Sequence, residues 1–426
     1  MSRSEHPSHA APVLAAPLLI ALGALTMMGP FGTDAFLPAF PVMAEALDAG
    51  NGQVQLTLTG FTLGMALGQL FTGPLSDGTG RRRPLLVGMS AMAVAGVGAA
   101  FADTLVVLVL CCAAMGLGAS FGMVISRAVV SDLAEGAQLT RSFALLGTLT
   151  SLGPILSPIF GVAVMALWGW RAIFVGLGVL AAICVVLVAL LVPETHPAER
   201  RLAHPLRGMP RNLAAAVRSR TYVGGALVLV FAFAGQFAYI AGSPFLLQSI
   251  LGLSPLAYSI VFGINGIGLI LTGLLTARLS RRWSERRLIA LGLCLEAAGA
   301  AIVLVTALTG TVTAVTLLPA LLLICASMGL ILGPASSYAL HGLRHVAGTA
   351  LAVIGAAQFF GAGLVAPLVE IGGDQNPFPF AIVVAVAVGA AWVAWALSPD
   401  PSAPPASARR EVSRVSTKEG ENDGPS

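Results

Sequence analysis

Apolar residues fill long uninterrupted blocks of this chain, and the polar residues between them fall into short clusters. A helix needs about 20 consecutive apolar residues to cross a bilayer. Twelve blocks reach that length, at 13–37, 53–75, 84–102, 104–130, 142–167, 171–192, 221–249, 255–277, 288–309, 312–340, 347–371 and 378–398. The pattern predicts an all-α polytopic membrane protein. Two longer polar stretches divide it: an N-terminal tail at 1–12, a six-helix bundle at 13–192, a linker at 193–220, a second six-helix bundle at 221–398, and a tail at 399–426. The last tail is rich in Pro, Ser and Glu and reads as disordered.

Composition narrows the class. Of 426 residues, 57% are hydrophobic and 10% charged, with a mean hydropathy of +0.89. Soluble domains average about 45–50% apolar and about 25% charged, so a soluble enzyme, a disordered chain and a fibrous one are excluded. An outer-membrane barrel would alternate and leave a polar lumen. The 49 Gly and 26 Pro suit membrane helices, which tolerate both. No soluble domain remains to present a basic face, which argues against nucleic-acid binding. The five cysteines, Cys111, Cys112, Cys184, Cys294 and Cys325, lie in apolar blocks without metal-ligand spacing and read as packing residues. His341 and His345 stand four apart near a helix end and read as interfacial, so no metal is expected. The first block is too long for a signal peptide and lacks a clear cleavage site, and reads as an uncleaved span.

The net charge of +4 matters through its placement. With the N-terminus in the cytoplasm, 22 of the 23 Lys and Arg fall inside and only Arg171 outside. The outer loops carry Glu45, Asp48, Asp103 and Asp374 instead. Cytoplasmic loops collect Lys and Arg, so both termini are expected in the cytoplasm.

The chain also repeats itself at an offset of 200 residues. Gly68, Thr72, Gly73, Leu75, Arg81 and Arg82 stand against Gly268, Thr272, Gly273, Leu275, Arg281 and Arg282. Any short inner loop attracts Arg, but six identities at one offset favour duplication. Two parallel-related halves with a site between them fit that pattern.

Particular runs then point to a family. Gly73-Pro74-Leu75-Ser76-Asp77-Gly78-Thr79-Gly80-Arg81-Arg82-Arg83 resembles the signature loop of the major facilitator superfamily. Thr33-Asp34-Ala35-Phe36-Leu37-Pro38, Gln55-Leu56-Thr57-Leu58, Leu67-Gly68-Gln69-Leu70 and Arg127-Ala128-Val129-Val130-Ser131-Asp132 narrow it. So do Gly153-Pro154-Ile155-Leu156-Ser157-Pro158 with Gly161, Gly169-Trp170-Arg171, Pro193-Glu194-Thr195 and Gly242-Ser243-Pro244-Phe245. Together they are similar to the Bcr/CflA subfamily of drug:proton antiporters, over about residues 20 to 395. One departure stands out: where the subfamily carries Arg-x-x-Gln-Gly-x-Gly, this chain reads Cys112-Ala113-Ala114-Met115-Gly116-Leu117-Gly118. The Arg assigned there to proton coupling is absent.

The resemblance implies roles for few ionisable groups. Membrane-embedded ones are costly and usually functional. Asp34 is either an interfacial carboxylate or, facing a central cavity, a proton-exchanging group; the family pattern favours the second. Glu296 is either a second proton-coupling group or a packed residue on a peripheral helix. Glu370 reads as interfacial. Gly73, Asp77, Gly80, Arg81 and Arg82 form the expected gate motif, with Asp77 pairing a cation across the halves and Asp132 a partner for Arg81. Arg127 is an interfacial anchor, a partner of Asp132, or a cation facing the cavity. Gly153, Pro154, Pro158 and Gly161 read as helix-packing residues. Gln55, Gln69, Gln236, Tyr239, Asn265, Tyr338 and Gln358 are the candidates for polar groups in an apolar substrate cavity.

The implied activity is export of small amphipathic drugs, chloramphenicol- or bicyclomycin-like, across a bacterial inner membrane. A monomer working by alternating access would draw on the proton gradient, with protons, the drug and the bilayer as its partners and no cofactor. No GxxxxGK[ST] loop exists to bind ATP, and no enzymatic activity is expected. Alternatives are export of an endogenous metabolite, proton-linked uptake, and a non-transporting membrane sensor.

Overall fold

A computed structural model describes residues 16–201, 208–343, 346–371, 373 and 376–399. The N-terminal tail, all but the start of the C-terminal one, and Arg344, His345 and Asp374 lie outside the described residues. Twelve helices there are long and apolar enough to cross a membrane. They are α1 (Ala16–Ala46), α2 (Gly52–Thr79), α3 (Arg82–Ala100), α4 (Leu105–Leu133), α5 (Gly136–Trp168) and α6 (Arg171–Leu191). The second half holds α7 (Arg220–Ile250), α8 (Pro255–Leu279), α9 (Glu285–Thr309), α10 (Ala314–Ala339), α11 (Ala347–Glu370) and α12 (Phe378–Leu397).

Helix starts follow local chemistry. Ser219, Ser254 and Ser284 cap α7, α8 and α9 by accepting from the amides of Tyr222, Ala257 and Arg287. Gly310 ends α9 at φ 67°, a left-handed conformation that costs glycine little. Some ends differ from the hydropathy reading. The fifth span, expected at 142, starts at Gly136, because a helix runs on through polar residues beyond the apolar slab. The first span, expected to end at 37, continues as a broken helix: its regular part stops at Asp34, a 3-10 turn covers Leu37–Ala39, and Phe40–Ala46 closes it. Pro38 and Pro41 open those last two pieces, where a missing N–H does no harm. Within the linker, Met209–Val217 forms a short helix that hydropathy did not show.

Small residues set the packing inside the first half. Gly60 and Gly64 of α2 lie against the Val109 and Ala113 carbonyls of α4, and a Cβ at Gly60 would stand 2.6 Å from the Val109 oxygen. On α5, Gly153 meets Pro30 and Gly161 meets the Ala35 carbonyl of α1. Overpacking a close contact costs about 1–3 kcal/mol. Gly161→Val is therefore expected to lower the thermal midpoint of detergent-solubilised protein by several degrees. An unchanged midpoint would show that α1 and α5 do not depend on that approach.

The cores show where the halves meet. One buried cluster runs through the first half and on into Phe237, Tyr239, Phe245, Tyr258, Phe262 and Phe380 of the second. A separate cluster, with Tyr222, Ile289, Met328, Tyr338 and Trp395, belongs to the second half alone, at the arginine-rich end. The halves are thus sealed together at the end away from Arg81. Gln55 Nε2 donates to the Ala241 carbonyl at 3.1 Å, Thr59 Oγ1 to that of Gly363 at 3.0 Å, and Ser259 Oγ to that of Pro158 at 3.3 Å. Phe40 and Phe245 add a ring contact at 5.9 Å. Toward the arginine-rich end, Gly147, Gly273 and Gly333 face open space.

Candidate functional site

Between the halves lies a cavity of about 570 Å³. Its walls are apolar: Phe143, Phe233, Phe237 and Phe359, with Met65, Met123 and Met328. Thr33, Asp34, Arg127, Thr150, Ser151 and Gln236 supply the polar side chains. A crevice of about 590 Å³ continues from it toward the arginine-rich end and shares Gly147, Ser151, Leu269, Met328 and Leu332.

Asp34 sits at the break in α1. Pro30 removes one helical N–H upstream, and the Thr33 hydroxyl donates to the Gly29 and Pro30 carbonyls at 3.4 and 3.1 Å. The Asp34 side chain is 2% exposed, and its Oδ1 has no hydrogen-bond partner. Asp34 is one of the residues that line the cavity, so the structure places it in the wall and not at an interfacial helix end. Arg127 of α4 also lines the cavity. It makes no ion pair among the described residues; Asp132 is bound to Arg81 instead. Cys112, where the subfamily has its Arg, is fully buried and is not among the lining residues.

Of the expected polar lining, Gln236 is in the wall; the others are not. Gln55 is fully buried in the seal between the halves. Gln69 packs against Gly355 across the two halves, with Nε2 3.8 Å from Met123 Sδ. Asn265 donates to the Tyr239 hydroxyl at 2.9 Å behind the wall, where Tyr239 stacks on Phe262 at 5.5 Å. Gln358 reaches the Leu229 carbonyl at 3.4 Å. Tyr338 lies at the arginine-rich end, its ring edge-on to Trp395 at 5.6 Å and its hydroxyl donating to the Pro399 carbonyl. A polar group in a helix bundle satisfies the nearest backbone oxygen as readily as it faces a cavity, and its residue type does not say which. Pro154, expected only to pack, is in the cavity wall, whereas the Pro158 carbonyl accepts from Ser259 in the seal. Glu296 does not line the cavity; it is fully buried, packed between helices. Glu370, the last residue of α11, is buried as well.

The gate motif forms a cluster at the arginine-rich end. Gly80, at φ 93°, turns the chain between α2 and α3. Arg81 Nη1 donates to Asp77 Oδ1 at 2.5 Å and to Ser76 Oγ at 2.6 Å, and Nε to Asp132 Oδ2 at 3.0 Å. Burial works against the Arg81 charge, but the Asp132 and Asp77 carboxylates outweigh it and hold the guanidinium above its ordinary range. Thr195 Oγ1 also donates to Asp132, at 2.9 Å. These partners lie in the first half and, for Thr195, at the start of the linker; none belongs to the second half. The expected pairing of Asp77 across the halves is not made, because the halves stand apart at this end. The second half is asymmetric: Ala277 replaces Asp77, Arg281 and Arg282 are exposed, and Arg286 instead donates to the Ser398 and Pro399 carbonyls, at 3.0 Å each.

Glu194 is the group that the residue-by-residue reading missed. It accepts from the Arg81 and Arg82 amides at 2.8 and 3.3 Å, capping α3 from the end of α6. The Pro193-Glu194-Thr195 run carried the signal, but only as part of a resemblance. Burial raises the Glu194 carboxyl, yet the amides of Arg81, His196 and Arg82, with the Arg201 charge, bring it below the usual carboxylate range. A depressed value contributes stability that is fully present above the unfolded pKa and is lost as pH falls through the folded one. Proteolysis of the 193–220 linker is thus expected to stay flat from neutral pH into the ordinary carboxylate range and to rise only below it. In Glu194→Gln it should be raised at neutral pH and insensitive to acid; identical profiles for the two proteins would remove this latch.

A family model described as Major Facilitator Superfamily matches residues 22–367. Multidrug resistance protein D of Escherichia coli (strain K12) is 31% identical over 82% of this chain and 88% of its own length. The chloramphenicol resistance protein of Pseudomonas aeruginosa is 30% identical over 80% of each chain. The crystal structure of a D-xylose-proton symporter superposes with a TM-score of 0.72 at 17% identity, covering 91% of this chain and 98% of that one.

Proposed function

The chain belongs to the Major Facilitator Superfamily, and from that premise we propose that this transporter exports small amphipathic compounds of the chloramphenicol type in exchange for protons. The observation that carries the reading is Asp34: a buried carboxyl with an unpartnered oxygen, in the wall of an apolar cavity that both halves line. Ionisable groups inside a membrane are costly and usually functional, and on this reading Asp34 takes up or gives up a proton in answer to what occupies the cavity. The aromatic and thioether walls suit an apolar body, and Met adapts to ligands of different shape. The Escherichia coli and Pseudomonas aeruginosa relatives are named for resistance, which supports export as the direction.

The cycle uses two states of one cavity. With the halves sealed at one end and the cavity open at the other, substrate enters from the arginine-rich side and displaces the proton of Asp34. With the opposite end open, a proton from the acidic side neutralises Asp34 and substrate leaves. The Arg81 cluster keeps the α2–α3 turn fixed to α4 and α6, so that the first half rocks as a body. On this reading the arginine-rich end and both termini face the cytoplasm, the membrane is the bacterial inner membrane, the protein works as a monomer, and no cofactor takes part. Chloramphenicol susceptibility of an efflux-deficient host tests the function: the chain should raise the inhibitory concentration, and unchanged susceptibility at verified membrane levels contradicts the reading.

A further inference from the structure

Behind the α7 wall of the cavity stands a carboxyl that the exchange described above does not use. Glu296 of α9 is fully buried, and neither carboxyl oxygen has a hydrogen-bond partner. It faces Gly235 of α7, where an added Cβ would lie 2.6 Å from Glu296 Oε1 and 3.8 Å from Ala387 of α12. The residue after Gly235 is Gln236, and Phe233, Gln236 and Phe237 line the cavity. One helix thickness therefore separates Glu296 from the ligand space. α10 and α12 carry no charged residue, and α7 carries one only at its first position, Arg220. Around Glu296 the Trp392 indole N–H of α12 donates to the Leu293 carbonyl at 3.3 Å, the Ser327 hydroxyl of α10 donates to the Ile324 carbonyl at 2.7 Å, and Gln236 Nε2 of α7 meets Cys325 Sγ of α10 at 3.9 Å. Among the described residues Glu296 makes no ion pair.

We propose that Glu296 is a second proton-binding site of this transporter, coupled to the cavity through α7 at Gly235. The proposal rests on the proton-exchange reading. A neutral carboxylic acid packs against the bare Gly235 backbone. An ionised carboxylate there would be uncompensated, so it requires α7 to draw back and admit water. When the O–H bond breaks, the proton passes to that water and the electron pair stays on the carboxylate; nothing is oxidised or reduced. Drawing α7 back moves Phe233, Gln236 and Phe237, which are cavity wall. Ligand binding that shifts this wall and proton loss from Glu296 are then linked, and the linkage is reciprocal.

The test counts protons released per chloramphenicol bound, with a pH dye in weakly buffered detergent solution. Wild type should release protons, and Glu296→Gln should release fewer while still binding. Asp34→Asn should lose a separate portion, so that the double variant releases none. Gly235→Ala approaches the same site without entering the cavity: its methyl should hold α7 drawn back from Glu296, so that the proton leaves before chloramphenicol binds, which tightens binding about tenfold and reduces the release. Adding Glu296→Ala should restore the affinity but not the proton, a pattern that a merely structural contact does not produce. Full release from Glu296→Gln, or Gly235→Ala with wild-type affinity and release, overturns this site. If Asp34→Asn still lowers the release in that case, proton exchange stands without it. No release from wild type overturns both.

Discussion

Asp34→Asn is expected to abolish accumulation of substrate against its gradient while leaving the protein folded. The substitution keeps the shape of the side chain and fixes it in an uncharged form. The neutral acid and the amide have nearly the same shape and each buries a donor, so stability should change by about 1 kcal/mol or less. Facilitated movement down a gradient should survive, because the substitution leaves the shape of the cavity wall unchanged. Chloramphenicol flux in proteoliposomes, with and without an imposed pH gradient, reads both parts. A variant that still concentrates substrate from a pH gradient at wild-type yield removes Asp34 from the mechanism.

Arg81→Ala is expected to remove nearly all transport by a different route, through the frame and not the cavity. The Arg81 side chain is 8% exposed and ties Asp77 of α2 to Asp132 of α4. Its loss leaves the half-buried Asp132 without its cation, and losing a hydrogen bond between charged groups costs about 1.5–3 kcal/mol. Arg81→Lys keeps the charge but cannot reach both carboxylates and Ser76 with a planar fork, and should recover only part of the activity. Thermal unfolding of the two variants, alongside their flux, separates lost stability from lost rocking. Equal flux in wild type and Arg81→Ala would show that the cluster does not govern the cycle.

Much of this molecule was legible before its structure, for one physical reason: a bilayer demands long apolar helices, and arginines mark the loops between them. The twelve spans and the two halves follow from that, whereas the Arg81–Asp132 pair was legible only through the resemblance of the Gly73–Arg83 loop. What stayed hidden was the facing of individual side chains. Tyr338 and Gln358 are polar residues on core helices, as Gln236 is, yet only Gln236 reaches the cavity. In a block where nearly every residue is apolar, periodicity does not separate a lipid face from a cavity face. Phe143, Phe233 and Phe359 therefore carried no signal, although they make much of the wall. Glu296 stood out as a charge in an apolar run, but its burial against Gly235 depends on a contact between α7 and α9 that no local pattern encodes.

The most direct test of proton-coupled export uses wild-type protein alone. In proteoliposomes with an acidic lumen and a neutral exterior, an antiporter drives chloramphenicol into the lumen while protons leave. Chloramphenicol carries no charge over this range, so passive partition cannot mimic the result. The account predicts luminal accumulation above the external concentration, collapsed by a protonophore. Equal concentrations on both sides, or depletion of the acidic lumen, would contradict it.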